Sequence, residues 1–275
     1  MTLCWFYSLA EGSSILPLKK ANSIKMNNVK DIFSQQAAGY AQYRPNTPQE
    51  LYDHLLGLVK GFDMAWDCGT GNGQVAIVLA GHFKTVYATD ISQKQLDNAV
   101  QAPNIIYKLE RAEQTSLPAD SVDLITVAQA IHWFDFGPFY NEVQRVAKDG
   151  AIIAAWTYIL LQVDNGPIDE IVNNIYVDIL GLYWDKERKY VDERYQTIPF
   201  PFEELEAPVC YNRVRWTAEQ LKGYLNTWSS AGHFKAKHGH SPVDLIAEQL
   251  EKHWKSNELK EVIFPIFMRI GRIVK

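Results

Sequence analysis

A short apolar run, Met64-Ala65-Trp66, meets Asp67, and glycines follow at positions 69, 71 and 73. A second run, Val86-Tyr87-Ala88-Thr89, ends in Asp90. Such glycines let backbone approach a ligand closely and present N–H donors where a helix starts. An acid that closes the second strand is placed to grip a ribose diol. Together they predict a cofactor containing adenosine, with Asp67, Gly69, Thr70, Gly71, Gly73 and Asp90 as its ligands.

Asp67 separates the classes of adenosine cofactor. A carboxylate two residues ahead of the first glycine pairs with the ammonium of a free amino acid end. It would repel the pyrophosphate of a dinucleotide. The dinucleotide fingerprint also wants a glycine at the sixth position from Gly69, where this chain carries Gln74. A nicotinamide oxidoreductase is disfavoured on both counts.

The pattern continues downstream. Residues 104–110 read as a third strand, and Ala112-Glu113 follows it. Residues 120–130 read as a fourth strand, followed by Ile131-His132-Trp133-Phe134-Asp135. Residues 149–156 read as a turn and a fifth strand. Taken in order over about residues 33–160, these motifs resemble the class I S-adenosylmethionine-dependent methyltransferases. The upstream Phe33-Ser34, Ala38-Gly39-Tyr40 and Tyr43-Arg44-Pro45 resemble the trans-aconitate methyltransferase-like small-molecule subgroup. One departure is Lys148-Asp149-Gly150-Ala151, where the family often has Pro-Gly-Gly.

The resemblance implies S-adenosyl-L-methionine as cofactor and a role for each matching residue. Asp67 and the loop of Gly69, Thr70, Gly71 and Gly73 hold the methionine end. Asp90 accepts from the ribose, Ile91 packs on the adenine, and Ala112 and Glu113 stand at the adenine amino group. Gln129 faces the sulfonium. His132 and Tyr40 are the catalytic candidates, His132 orienting the acceptor or taking its proton. Tyr40, Tyr43 and Arg44 form a lid in which Arg44 clamps a carboxylate. Trp133 packs over the cofactor, and with Trp156 and Tyr158 lines the acceptor side. The implied reaction is methyl transfer to a small organic molecule, with a carboxylic acid as the candidate. The competing readings are a methyltransferase for RNA or protein, or a cofactor-binding module without catalysis. Gln129-Ala130-Ile131-His132 stands where amino-methylating relatives carry an acid-or-Asn-Pro-Pro-aromatic motif, which weighs against the first of these.

The elements that must position these residues are legible. Thr47-Pro48-Gln49-Glu50 reads as a capping box with Pro at the first helical position. Ser92 with Gln95 and Thr217 with Gln220 repeat the box, and Ser241-Pro242 starts a further helix. Short Val, Ile and Ala runs alternate with these helices through residue 156, the βαβ pattern of a parallel sheet. The expected fold class is α/β: a Rossmann-like, doubly wound, seven-stranded and mostly parallel sheet. The resemblance adds an antiparallel last strand, inserted between the fifth and sixth, and a helical cap insertion. The expected last strands are residues 209–216 and 262–270. The expected divisions are a disordered leader at 1–30 and one methyltransferase domain at 31–275. Within the latter, the cofactor-binding core covers about 33–160, the cap about 160–207 and the C-terminal elements 208–275. Ile168, Ile171, Val172, Ile175 and Ile179 mark one amphipathic helix in the cap.

Bulk properties narrow the partners. The chain has 275 residues, 47% hydrophobic and 21% charged, which suits a soluble globule. A net charge of −5 gives no electrostatic case for nucleic acid. No run reaches the roughly 18 apolar residues of a membrane span. Cys4, Cys68 and Cys210 are scattered, with neither metal nor disulfide spacing, so a reducing cytoplasm fits. His233, His238 and His240 read as a loop without a companion acid or cysteine, and no metal is expected. The expected partner is a small-molecule methyl acceptor, with the chain a monomer or homodimer.

Overall fold

A computed structural model describes residues 45–163 and 166–275. The leader, Tyr40 and Arg44 lie outside the described residues.

Helix α1 (Gln49–Leu58) buries Leu51, Tyr52 and Leu55. Strand β1 (Met64–Cys68) leads through the glycines into α2 (Gln74–Leu79), then β2 (Thr85–Asp90), α3 (Gln93–Asp97) and β3 (Ile105–Leu109). Strand β4 (Val122–Ala128), a 3-10 turn (Ile131–Trp133), α4 (Phe136–Val146) and β5 (Ala147–Tyr158) complete the parallel part. Its order is β3-β2-β1-β4-β5, all neighbours parallel. The crossovers diverge at the β1–β4 junction, which opens a crevice at the carboxyl ends of those strands.

Four more strands finish the sheet: β6 (Gln162–Val163), β7 (Glu203–Leu205), β8 (Cys210–Trp216) and β9 (Lys260–Arg272). β9 runs antiparallel to β5, with Tyr158 opposite Ile266, and antiparallel to β8, with Cys210 opposite the same Ile266. The last strand therefore lies between the fifth lane and the sixth. The expected seven strands become nine among the described residues because two lanes are broken. β6 continues the β5 lane along β9 with one residue extra, and β7 precedes β8 in the same manner. A bulge of this kind bends a strand without ending its lane.

Three local expectations are corrected. The Lys148-Asp149-Gly150 turn is a bulge inside β5, where Val122 pairs Ala147 and Leu124 pairs Ile152; Gly150, at φ 78°, carries it. Thr47 makes no cap for α1, because its hydroxyl accepts from Trp156 Nε1 at 3.2 Å instead. His233 and His238 lie in a helix, α8 (Ser229–His238), which Gly239 terminates at φ 80°. The Ser92 cap and the Thr217 capping box form as expected, the latter starting α7 (Ala218–Leu225).

Side chains alternate between two cores on opposite faces of the sheet. Ala65, Leu124, Ile152, Ala154, Trp156 and Tyr158 join one. Trp66, Cys68, Ile125, Val127, Ile153 and Ala155 join the other. Burial on both faces is what continuous apolar runs in a parallel sheet require. The insertion starts as α5 (Gly166–Asn174), which runs into a π-helical turn (Ile175–Ile179), so the apolar stripe stays in register past the helix end. A short α6 (Arg188–Asp192) follows.

One arginine pins the insertion to the sheet. Arg269 of β9 forks onto Glu204 at 2.7 and 2.8 Å. It also donates to the carbonyls of Tyr195 and Ile198 at 3.2 and 2.6 Å, with its guanidinium 4.5 Å over the Phe200 ring. Replacing it strands two buried carbonyls, a loss of about 2 kcal/mol. Arg269→Met is expected to lower the melting temperature by roughly 4–8 °C, at 2–4 °C per kcal/mol for a domain of this size. Differential scanning calorimetry checks it.

Candidate functional site

Asp67 and Thr126 are register partners on β1 and β4, and Thr126 Oγ1 donates to Asp67 Oδ1 at 2.8 Å. Thr70 Oγ1 donates to Oδ2 at 2.5 Å. Asp67 is 1% exposed. Burial pushes its carboxyl up to about 6, against the opposing pull of the threonine hydroxyls. An ammonium arriving beside it would restore the ordinary carboxylate range.

Gly69, Gly71 and Gly73 have φ of 68°, 57° and 81°, the left-handed region that costs other L-residues roughly 1–2 kcal/mol. They differ in what surrounds them. A Cβ on Gly69 would meet Ala130 Cβ at 2.6 Å, and one on Gly73 would meet the Tyr107 hydroxyl. A Cβ on Gly71 would meet nothing of the described residues within 4 Å. Gly71 N–H donates to Asp90 Oδ2 at 2.8 Å, and Ser92 N–H to Oδ1 at 2.9 Å. The two ends of the motif are thereby held in one frame.

A cleft opens along this frame. Asp67, Gly69, Thr70, Gly71, Gln129, Trp156 and Tyr158 line it, together with Thr47, Gln74 and Ile266. The remaining candidates lie outside that lining. Ile91 is exposed beside Asp90, and Ala112 is buried in the segment after β3. Glu113 accepts from Arg111 Nε at 3.1 Å and from the Asp135 N–H at 3.0 Å. His132 is 8% exposed, and its Nδ1 shares a 2.8 Å hydrogen bond with the Tyr195 hydroxyl. Trp133 packs 5.0 Å from the His132 ring. Two arginines of the insertion rest on rings: Arg188 on Trp184 at 4.6 Å and Arg194 on Phe267 at 4.4 Å. Of the histidine segment, His238 shares a 2.6 Å hydrogen bond with the Tyr183 hydroxyl and stacks on Phe234. No group of three His, Cys, Asp or Glu among the described residues is arranged to hold a metal.

Gln129 stands out at the end of β4. Its φ is 55°, a left-handed backbone that carries a strain of roughly 1–2 kcal/mol. Its Oε1 accepts from Thr157 Oγ1 at 3.0 Å, yet its buried Nε2 meets no partner among the described residues. A buried donor left unpaired costs about 1–3 kcal/mol. Cys68, inside the glycine motif, is fully buried, and burial pushes its thiol well up, so it is packing and not a nucleophile.

Four contributors go beyond the sequence reading. Thr126 and Thr157 are hydroxyls in runs that are otherwise apolar, and a polar group in a strand buried on both faces needs a partner; that signal could have found them. Thr47 carries the signature of a cap, which hides its place at the site. Tyr195 carries no signal, since it arrives from an insertion distant in sequence.

The site residues fit S-adenosylmethionine: a buried acid for the ammonium and an open cradle at Gly71. The comparisons agree. A family model described as a methyltransferase domain matches residues 66–155. A Dictyostelium discoideum protein named a methyltransferase is 33% identical over 249 residues, 88% of this chain and 95% of the relative. A structure from Anaeromyxobacter dehalogenans, described as a type II methyltransferase, superimposes with a TM-score of 0.78 at 39% identity. It covers 84% of this chain and 99% of that one. A Saccharomyces cerevisiae protein named an S-adenosylmethionine-dependent methyltransferase is 27% identical over 45% of this chain and 46% of its own. The chain belongs to the class I S-adenosylmethionine-dependent methyltransferases.

Proposed function

We propose that this methyltransferase transfers the methyl group to a carboxylate oxygen of a small organic acid. The observation that carries the reading is the state of Asp67. It is the only carboxylate among the described lining residues, and both its oxygens are engaged by threonines at the cofactor's ammonium position. The acceptor side is built of neutral groups: Gln129, Trp156, Tyr158 and Thr47. A carboxylate arrives ionised and asks no residue to take its proton, whereas an amine or hydroxyl does. The resemblance to the trans-aconitate methyltransferase-like subgroup supports the same class.

Bound in the cleft, the cofactor supplies a methyl group already activated on sulfonium. The chain's own residues then position. Asp67 and the loop fix the methionine end, Asp90 the ribose, Ile91 and Glu113 the adenine edge. His132, hydrogen-bonded to Tyr195, and Tyr40 and Arg44 of the lid that the resemblance implies are the further candidates for the transfer site. Alignment of nucleophile, carbon and sulfur can supply roughly 7–11 kcal/mol of the barrier. The buried, free Cys68 and Cys210 suit a reducing cytoplasm. Among the described residues no helix is long and apolar enough to cross a membrane.

Incubation of the full chain with methyl-tritiated cofactor and matched sets of carboxylates, amines, phenols and thiols tests the proposal. Label released as methanol by base, from carboxylates alone, is the expected result. Base-stable label in an amine, phenol or thiol would overturn it.

A further inference from the structure

Among the buried polar atoms of the cleft, one side chain has a hydrogen bond to give and nothing among the described residues to receive it. Gln129 is tied entirely to β5. Its main-chain N–H donates to the Trp156 carbonyl at 2.9 Å, and its Oε1 accepts from Thr157 Oγ1 at 3.0 Å. Thr157 itself is fully buried. Nε2, also buried, has no partner among the described residues at the cleft wall. The backbone at Gln129 is left-handed, at φ 55°. Strain of this kind in a non-glycine residue clusters at functional sites.

We propose that Gln129 Nε2 donates a hydrogen bond to the acceptor's carboxylate, making Gln129 the residue that selects carboxylates. The inference rests on the carboxylate reading above and moves Gln129 from the cofactor to the acceptor. The order of strands argues for that assignment. Asp90 closes β2 and Asp67 lies on β1, while Gln129 closes β4 and is bonded only to β5. Each step along β2-β1-β4-β5 leads away from the ribose acid and toward Trp156 and Tyr158.

The chemistry balances without a proton acceptor. The donor holds one carboxylate oxygen and leaves a lone pair of the other for the methyl carbon. The new O–C bond forms as the C–S bond breaks, and its electron pair stays on sulfur. The carboxylate's negative charge and the sulfonium's positive charge disappear together, giving a neutral ester and a thioether. A carboxamide suits this role because, unlike an ammonium, it orients the anion without strongly lowering its nucleophilicity.

The same donor could instead hold the cofactor's own carboxylate, and two titrations separate the sources. In the first, S-adenosylhomocysteine is titrated calorimetrically into the full chain and into Gln129→Met, Gln129→Glu and Gln129→Asn. The dissociation constants are expected to agree within threefold, which also reports that the variants fold. In the second, each protein saturated with S-adenosylhomocysteine is titrated with acetate, benzoate, octanoate and citrate, and with the corresponding amides. At least one carboxylate is expected to bind the wild type. That binding should weaken tenfold or more in Gln129→Met and in the shorter Gln129→Asn, and further in Gln129→Glu, while the amides do not respond. Equal carboxylate binding by wild type and Gln129→Met would overturn the inference and leave the acceptor class standing. A tenfold loss of S-adenosylhomocysteine affinity would overturn it by assigning the donor to the cofactor. Absence of carboxylate binding by the wild type would remove the acceptor class, and the inference with it.

Discussion

Gly69→Ala is expected to weaken S-adenosylhomocysteine binding by a hundredfold or more, about 2.7 kcal/mol. Two costs coincide at this position. The φ of 68° opposes any Cβ by roughly 1–2 kcal/mol. The added methyl would lie 2.6 Å from Ala130 Cβ and 3.5 Å from the Phe134 ring. Ala130 has no rotatable arm to withdraw, so the main chain between β4 and the His132 turn must move. That segment begins at Gln129 and bounds the cleft. Gly71→Ala separates the fold from the ligand: its Cβ meets nothing of the described residues within 4 Å, so it should keep the wild-type fold and lose tenfold or more in affinity through the conformational cost and the ligand's contact with the cradle. Calorimetric titration of both, with far-ultraviolet circular dichroism to confirm folding, reads the difference.

Asp67→Asn is expected to weaken the same ligand by about a hundredfold at neutral pH and to abolish the pH dependence of what binding is left. In the wild type, burial holds the Asp67 carboxyl at about 6, above its ordinary 3.8. Between those values the folded state binds more protons than the unfolded one. The contribution of Asp67 to stability therefore falls as pH rises through that window and is level above about 6. Binding of an ammonium favours the ionised form and acts in the opposite sense. Affinity should rise with pH up to about 6 and stay flat beyond it. At pH 5 roughly a tenth of the sites are ionised, so the wild-type dissociation constant should be about tenfold higher than at pH 7.5. The carboxamide of the variant has nothing to titrate. Calorimetry at the two pH values checks both proteins, and a flat wild-type profile would remove the ammonium from Asp67.

Much of this architecture is legible in the chain because local chemistry and global packing agree. The Asp67 to Gly73 motif, the apolar runs and the helix starts at Ser92 and Thr217 depend on residues close together in sequence. The place of β9 between β5 and β8 comes through family resemblance, since periodicity identifies a strand and not its neighbours. Thr47 misleads because a capping residue and a site hydroxyl look alike until Trp156, distant in sequence, supplies a competing donor. The histidines of α8 look like a loop because their polar pattern lacks an apolar stripe. The helix is held through Ala231 and Phe234, both buried. Gln129 is recognisable as a site residue, but its strained backbone and idle amide are visible only in three dimensions.

The most direct test of the site is a crystal structure of the full chain with S-adenosylhomocysteine. The account predicts the ligand's α-ammonium within hydrogen-bond distance of Asp67, its ribose diol on Asp90, and its sulfur facing the wall formed by Gln129 and Trp156. A ligand whose amino acid end lies away from Asp67, or whose sulfur faces away from the β4–β5 wall, would contradict it.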